Sequence, residues 1–270
     1  MFIVASIPSP PFNTLSLGPL EIHIYGLLIA IGVFIAAALT IKRYEAMGED
    51  GSIVESVLVW AIGLGFLGAR LAYVSTHLSR FEGEWWKVVA IWEGGLALFG
   101  GLTIGTLTAV WLIRTRGGNA WRLLDAAAVG IPAAQAIGRW GNYFNQELFG
   151  TPSTLPWAVE IAPGRRPIEY AGSETFHPTF LYESLWNGLF VIPVLLWVER
   201  RFRLPTGGLF MVYAGLYGVG RFSLELIRTD TTFRLLGLSR NGWVSVAVII
   251  GAVVLLAIRR RVASTEGVSA

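Results

Sequence analysis

The sequence of 270 residues contains no cysteine and only three histidines. Without cysteine the chain forms no disulfide, binds no metal through thiolates and has no cysteine nucleophile of its own. The patterns His-Glu-x-x-His and Gly-x-Ser-x-Gly are absent, which argues against a zinc protease and a serine hydrolase. The three scattered histidines show no spacing typical of metal ligands. We therefore expect no metal and no other cofactor, and any thiol in the chemistry must arrive with a substrate.

Charge is scarce as well. Charged residues make up 14% of the chain and hydrophobic residues 54%, and the mean hydropathy is +0.58. A soluble domain has about 25% charged residues, so this composition indicates an integral membrane protein. The isoelectric point near 9.4 does not indicate nucleic acid, because most basic residues lie at the ends of apolar runs, where membrane insertion accounts for them. We expect contact with membrane lipids and none with nucleic acid.

Seven apolar runs are long enough, or nearly so, to cross the hydrocarbon core, which takes roughly 20 helical residues. They lie at 24–41, 53–75, 94–113, 123–139, 178–198, 207–228 and 243–258. The pattern predicts an all-α integral membrane protein of about seven transmembrane helices, with residues 1–270 in a single membrane domain. The first residues lack a basic region and contain three early prolines, so we do not expect a cleaved signal peptide.

Basic residues are distributed unevenly around these runs. If the runs alternate in direction, 11 of the 21 lysines and arginines fall on one side, namely Lys42, Arg43, Arg114, Arg116, Arg122, Arg200, Arg201, Arg203, Arg259, Arg260 and Arg261. The positive-inside rule places that side in the cytoplasm, with the N-terminus outside and the C-terminus cytoplasmic. The longest outer segments lie near 76–93 and 140–177, and we expect both to be interfacial. The first is rich in tryptophan, as is typical of chain at the headgroup level.

Polar side chains of the predicted spans gather in their outer halves. An arginine inside a bilayer costs about 2.5–3.5 kcal/mol on insertion scales, so Arg70, Arg139 and Arg221 imply partners or an anionic ligand. Arg70 and Arg139 could also extend to the interface, and Glu225 could satisfy Arg221 as a structural pair at i+4. Convergence of several helices favours a functional site. The further members are His23, Tyr25, Tyr73, Glu93, His177, Tyr182, Glu183 and Arg228.

One stretch carries a more specific pattern. Residues 138–150, with the sequence GRWGNYFNQELFG, resemble the signature of the prolipoprotein diacylglyceryl transferases, in which Arg-small-Asn-aromatic-x-Asn-x-Glu ends in glycine. Segments 23–26, 68–73, 92–95, 177–183 and 220–228 match the family as well. The resemblance covers nearly the whole chain except its two ends.

The resemblance implies a multi-pass enzyme of the bacterial cytoplasmic (inner) membrane, with its active site towards the outer leaflet. The implied reaction transfers the diacylglyceryl group of phosphatidylglycerol to the lipobox cysteine in the signal peptide of a prolipoprotein. A thioether forms and glycerol phosphate is released. A transporter or scramblase for an anionic lipid or solute is the alternative, since intramembrane arginines also mark permeation pathways. The charge-poor inner halves of the spans and the lack of a visible repeat argue against it.

For this reaction we expect Arg139 and Arg221, which match the family's two key arginines, to clamp the phosphate. A guanidinium binds two phosphate oxygens at once and stays charged. Asn142 and Asn145 are expected to donate hydrogen bonds to the headgroup. The other expected members are Glu147 and Glu225, which would each orient one arginine, and the binding residues Gly150, Arg70, Arg228, His177, Tyr182 and Glu183.

The general base stays open at this point. Tyr25, which we include among the catalytic residues, His23, His177 and the phosphate of the lipid are all candidates. Two positions depart from the pattern of many family members: Phe99 stands where they carry a histidine, and Phe180 where some carry a glutamine. The resemblance therefore does not imply a histidine base beside the paired glycines of the third span.

Overall fold

The computed structural model describes residues 6–18, 20–90, 94–228 and 234–266. Helices dominate these ranges. They are α1 (Ile24–Ala46), α2 (Gly51–Thr76), α3 (Leu98–Thr115), α4 (Ala120–Asn145), α5 (Thr179–Leu185), α6 (Ile192–Arg201), α7 (Gly208–Glu225) and α8 (Arg240–Glu266). A π-helical segment, Trp186–Val191, joins α5 to α6, so that residues 179–201 are helical throughout.

Within the described ranges, five helical segments are long and apolar enough to cross a membrane. They are α1, α2, α3, Thr179–Arg201 and the Arg240–Val262 part of α8. The expectation of an integral, multi-pass α-helical membrane protein is thereby confirmed in its general form. The runs predicted at 123–139 and 207–228 are also helical, as α4 and α7. Both carry charged side chains, among them Arg139 and Arg221, which lower their apolar character.

The described part of the chain also contains three short antiparallel strand pairs in the segments that flank helices. They are β1 (Thr14–Leu17) with β2 (Leu20–His23), β3 (Val159–Glu160) with β4 (Thr175–Phe176), and β5 (Arg234–Leu235) with β6 (Leu238–Ser239). The β2 strand leads directly into α1, and β6 leads directly into α8. The sequence did not predict these pairs, because strands of two to four residues are too short to show an alternating pattern.

Residues 40–126 form one compact unit. In it α2 and α3 approach closely at small residues: a Cβ on Gly65 would lie 3.3 Å from the carbonyl oxygen of Gly101, and one on Gly105 would lie 3.0 Å from that of Ala61. Small residues permit such close contact between membrane helices.

Asp50 caps α2, and hydrogen bonds from the side chain and the backbone N–H of Ser52 lower the pKa of its carboxyl group below the ordinary value.

Residues 1–39 and 127–270 form the second compact unit. One apolar cluster joins α4, the π segment, α6 and α7 through Ala128, Val129, Val191, Leu195, Leu209 and Tyr213. A second cluster lies under the chain that follows α4 and contains Phe149, Val159, Ile161, Phe176 and Phe180. The second cluster, with Tyr143 packed against it, joins the C-terminal end of α4 to the start of α5, where part of the candidate site lies.

Candidate active site

Arg139 lies near the C-terminal end of α4 and pairs with a carboxylate on α5. Its Nε lies 2.6 Å from Oε2 of Glu183, and its Nη1 donates to Oδ1 of Asn142 at 3.3 Å. Glu183 is buried, whereas the side chain of Arg139 keeps 24% of its surface exposed. Glu183 is therefore the direct partner of Arg139. Glu147, which we expect to orient one of the two arginines, is linked to Arg139 through Asn142, and its role stays a prediction.

The turn after α4 is organised around Glu147. Asn142 and Asn145 donate from their side-chain amides to Oε1 of Glu147, at 2.9 and 3.3 Å. Gln146 and Leu148 adopt φ values of 51° and 56°, a conformation that costs free energy for residues other than glycine. Since a carboxamide has two N–H donors, each asparagine can still donate one hydrogen bond to a ligand while it holds Glu147.

Tyr25 lies in the first turn of α1 and contacts the end of α4. Its ring packs so closely on Gly141 that any Cβ there would overlap the ring. The hydroxyl group is near enough to Glu147 and Arg139 to interact electrostatically with both. His23, another candidate base, lies on β2 with its side chain exposed. Of these two, Tyr25 is the one that the structure brings to the Arg139 cluster.

Arg221 lies one turn before the end of α7. Its Nη2 is 2.7 Å from Oε2 of Glu225, and only 14% of the Arg221 side chain and 4% of the Glu225 side chain are exposed. Oε1 of Glu225 accepts from Oγ of Ser239 at 2.6 Å and from Nδ2 of Asn241 at 3.5 Å. Nη1 of Arg221 is buried and has no hydrogen-bond partner in the described part of the chain. Within the described residues, Nη2 of this guanidinium is thus paired, and Nη1 is buried and unpaired.

Gly150 connects three parts of the site through its backbone. Its N–H donates to the carbonyl oxygen of His177 at 2.9 Å, and the N–H of the next residue donates to that of Ile227 at 2.8 Å. Gly150 also pairs with Arg228 as an isolated antiparallel bridge, and Arg228 is buried. A Cβ on Gly150 would lie 2.8 Å from Cβ of His177, so glycine is needed for this close approach.

His177 and Tyr182, both expected in the site, contact each other. Nδ1 of His177 lies 3.1 Å from the hydroxyl group of Tyr182, and Nε1 of Trp157 donates to the same hydroxyl at 3.0 Å. The N–H of His177 donates to the carbonyl oxygen of Thr151. His177 is therefore held beside Gly150 by its backbone and near Tyr182 by its ring.

The π segment places one helix in contact with both arginine-bearing helices. Glu183 of α5 reaches Arg139, and the indole of Trp186 packs directly on Gly220, next to Arg221. Nδ2 of Asn187 donates to the carbonyl oxygen of Glu183 at 2.9 Å. A π segment displaces the regular i to i−4 hydrogen bonds, and this side-chain amide satisfies a carbonyl group there.

Arg70 lies in the other unit, where it has a set of partners that the sequence did not suggest. It is 5% exposed and donates to the carbonyl oxygens of Lys87, Val88, Gly94 and Gly95 at 2.5–2.9 Å. These contacts make it an anchor for the chain between α2 and α3. Glu93, another expected member, lies outside the described residues. Phe99 lies near the start of α3 and is 73% exposed.

Several residues of the site were not predicted from the sequence. The spacing of Asn187 and Trp157 does not indicate a role for either residue. The position of Ser239 is indicative, because a serine just before an apolar run is a typical helix cap. Its Oγ accepts from the N–H of Gly242 at 3.0 Å. Among the residues that the structure describes, no group of three or more His, Asp or Glu is placed to hold a metal ion.

Long apolar helices and buried arginine–carboxylate pairs define the class: a polytopic membrane protein with fixed cations at one end of a helix cluster. The family model of the prolipoprotein diacylglyceryl transferases matches residues 13–258. The chain belongs to this family.

Several bacterial proteins are similar to the chain over most of its length. A phosphatidylglycerol–prolipoprotein diacylglyceryl transferase of Frankia alni is 46% identical over 96% of the chain and 69% of its own length. The enzyme of the same name from Frankia casuarinae is 46% identical to the chain. The similarity covers 96% of the chain and 63% of the length of that relative. The second such enzyme of Streptomyces coelicolor is 42% identical over 94% of the chain and 81% of its own length.

Proposed function

We propose that Arg139 and Arg221 hold the phosphate of phosphatidylglycerol while the chain transfers the diacylglyceryl group to a prolipoprotein cysteine. The chain is a transferase of lipoprotein biosynthesis, in keeping with its family and the names of its relatives. The transporter or scramblase interpretation is not favoured, because the similar proteins are named as transferases. One observation carries the proposed clamp: Nη1 of Arg221 is buried and has no hydrogen-bond partner among the described residues.

The chemical step is a displacement at carbon. The cysteine sulfur of the substrate forms a bond with the terminal glycerol carbon of the diacylglyceryl unit, and the bond from that carbon to the phosphate oxygen breaks. The electron pair of that bond leaves with glycerol phosphate, and the thiol proton passes to a base. Negative charge grows on the leaving phosphate as the bond breaks, so fixed guanidinium groups stabilise the transition state more than the ground state.

The carboxylates on the two arginines support this assignment. Glu183 contacts Nε of Arg139, and Glu225 contacts Nη2 of Arg221. A guanidinium has five N–H donors, so each arginine can pair with its carboxylate and still donate to a ligand with two oxygens. A phosphate diester is such a ligand. Asn142 and Asn145 would add neutral donors on the Arg139 side.

We assign Tyr25 to the reacting end of the site. It is the candidate base whose hydroxyl lies within electrostatic range of both Arg139 and Glu147. A free cysteine has a pKa of about 8.5, and nearby positive charge lowers it. The arginines would therefore promote ionisation of the substrate thiol, and the lipid phosphate would receive the proton. Tyr25 could take this role only as a phenolate, because the ordinary pKa of a phenol is about 10. His177 is assigned to binding together with Tyr182.

The membrane topology of the enzyme is also a proposal. We infer that all seven long helical segments span the bacterial cytoplasmic membrane, with the N-terminus outside, the C-terminus cytoplasmic and the site towards the outer leaflet. Support comes from the positive-inside rule and from helicity over all seven predicted runs. The thiol substrate would be the lipobox cysteine of a signal peptide, which is itself an apolar segment in the membrane.

The direct test uses the purified protein in phosphatidylglycerol-containing micelles with a synthetic lipobox peptide. Mass spectrometry should show the peptide gaining one diacylglyceryl group, and glycerol phosphate should appear in equal amount. A peptide in which serine replaces the cysteine serves as the control and should remain unmodified. Modification of the serine peptide, or none of the cysteine peptide, would contradict the proposed function.

A further inference from the structure

Two hydrogen bonds and an ion pair link the start of α8 to Arg221. The N–H of Gly242 donates to Oγ of Ser239, and this hydroxyl donates to Oε1 of Glu225 at 2.6 Å. The other carboxylate oxygen, Oε2, lies 2.7 Å from Nη2 of Arg221. Ser239 and Glu225 are each 5% exposed, so the contacts are shielded from water. Hydrogen bonds to charged groups are stronger in such a buried environment than in water.

The Ser239 hydroxyl decides how Glu225 meets the arginine. A carboxylate and a guanidinium favour a bidentate arrangement with two parallel hydrogen bonds. Here Oε1 accepts from Ser239 at 2.6 Å, and Oε2 lies 2.7 Å from Nη2 of Arg221. Without the hydroxyl group, Oε1 would keep only the long contact from Nδ2 of Asn241 at 3.5 Å. The Glu225 carboxylate could then use both oxygens on Arg221.

We propose that Ser239 is a positioning residue that keeps Glu225 on Nη2 of Arg221. Nη1 then has no protein partner among the described residues and can bind the lipid phosphate. The proposal rests on the proposed clamp and adds a residue outside the family signature quoted above. Ser239 acts on the reaction only through Glu225. Its loss should weaken binding of phosphatidylglycerol, because the phosphate must then compete with the carboxylate for Nη1.

Ser239 also caps α8, and the two roles can be separated by substitution. Ser239→Thr keeps both the acceptor for Gly242 and the donor to Glu225. Ser239→Ala removes both. Ser239→Asp keeps an acceptor for the helix start, because aspartate is a favoured capping residue. It removes the donor to Glu225 and places a second carboxylate against it. Ser245→Ala is the matched control, because Ser245 is a buried serine of α8 whose Oγ donates to the carbonyl oxygen of Asn241.

The experiment measures initial rates of the full-length enzyme at pH 8 with varied phosphatidylglycerol and fixed lipobox peptide, together with the melting temperature. A hydrogen bond to a charged group corresponds to roughly tenfold or more in binding. We expect the KM for the lipid to rise about tenfold in Ser239→Ala and at least as much in Ser239→Asp, with a smaller change in kcat. Ser239→Thr and Ser245→Ala should stay within about threefold of the unsubstituted enzyme.

The outcomes separate the two proposals. If the unsubstituted enzyme does not modify the peptide, the proposed function fails. If it does, and Ser239→Ala keeps its KM, the positioning role fails. A capping role alone predicts the opposite order, in which Ser239→Asp behaves like the unsubstituted enzyme and only Ser239→Ala loses stability and rate. That order would likewise overturn the inference.

Discussion

Oε2 of Glu183 lies 2.6 Å from Nε of Arg139, although 44 positions separate the two residues along the chain. The contact joins the start of α5 to the end of α4 and uses the nitrogen that is farthest from the tip of the guanidinium. Arg139 is thereby held in place while its terminal nitrogens remain at the site. Two consequences can be measured: one for stability and one for lipid binding.

Replacing Glu183 by glutamine should destabilise the protein and impair lipid binding. Breaking a fully buried ion pair costs about 3–5 kcal/mol. Because the Arg139 side chain is 24% exposed, we expect a smaller loss of about 1–3 kcal/mol, seen as a lower melting temperature, together with a higher KM for phosphatidylglycerol. Glu169→Gln changes an exposed carboxylate of the same unit and should leave both quantities unchanged. An unaltered melting temperature in Glu183→Gln would contradict the structural importance of the pair.

Arg139→Lys and Arg221→Lys should each reduce kcat/KM by about 10²-fold or more. Lysine keeps the charge, but its ammonium group cannot bind two phosphate oxygens in the planar geometry of a guanidinium. Arg203→Lys, at an exposed arginine beyond α6, is the matched control. Normal turnover by a well-folded Arg139→Lys or Arg221→Lys enzyme would remove that arginine from the clamp.

Gly150→Ala tests the close approach of three backbone segments. The added Cβ would lie 2.8 Å from Cβ of His177 and 2.9 Å from the carbonyl oxygen of Ile227, so backbone must move. Overpacking of this kind costs about 1–3 kcal/mol, and we expect lower thermal stability and lower activity. In Gly164→Ala the new Cβ meets no atom within 4 Å, so this variant should match the unsubstituted enzyme. Equal stability of both variants would show that the site does not require this contact.

Topology can be tested independently of activity. A reporter fused after Arg203 should report a cytoplasmic location, and one inserted near Gly164 should report an outer location. The physical reason is the excess of lysine and arginine on the side of Arg203, which favours retention in the cytoplasm. The reverse pattern, or both reporters on one side, would exclude the proposed arrangement of spans.

The helices could be predicted from sequence because an apolar run of about 20 residues must be helical in a bilayer. Tyr25, Arg139, Glu147 and Arg221 are assigned to the proposed site from depth and motif, and this assignment stays a prediction. The partner of Arg139 could not be predicted, because Glu183 is distant in sequence and only packing brings it near. The roles of Ser239 and Asn187 depend on single side-chain hydrogen bonds, which no periodicity encodes. Arg70 shows the same limit, since its partners are backbone carbonyls.

Phe99 provides a test of mechanism, because many family members carry a histidine at this position. If an imidazole there were indispensable as the base, this chain would be inactive. We expect it to be active, because arginine-rich surroundings lower the pKa of the substrate thiol and make a dedicated imidazole dispensable. The side chain of Phe99 is 73% exposed, so Phe99→His should fold normally.

We expect Phe99→His to change kcat/KM by less than about tenfold, since general-base help is worth about 10²- to 10⁴-fold only where a base is missing. Rates measured from pH 5 to 9 on the same lipobox peptide are the readout, with Phe99→Leu as the apolar control. Participation of the imidazole would add a titration near pH 6–7 to the profile of Phe99→His alone. A gain of about 10²-fold accompanied by that titration would show that thiol ionisation limits turnover in the unsubstituted enzyme. The account in which the arginines suffice to activate the thiol would then be wrong.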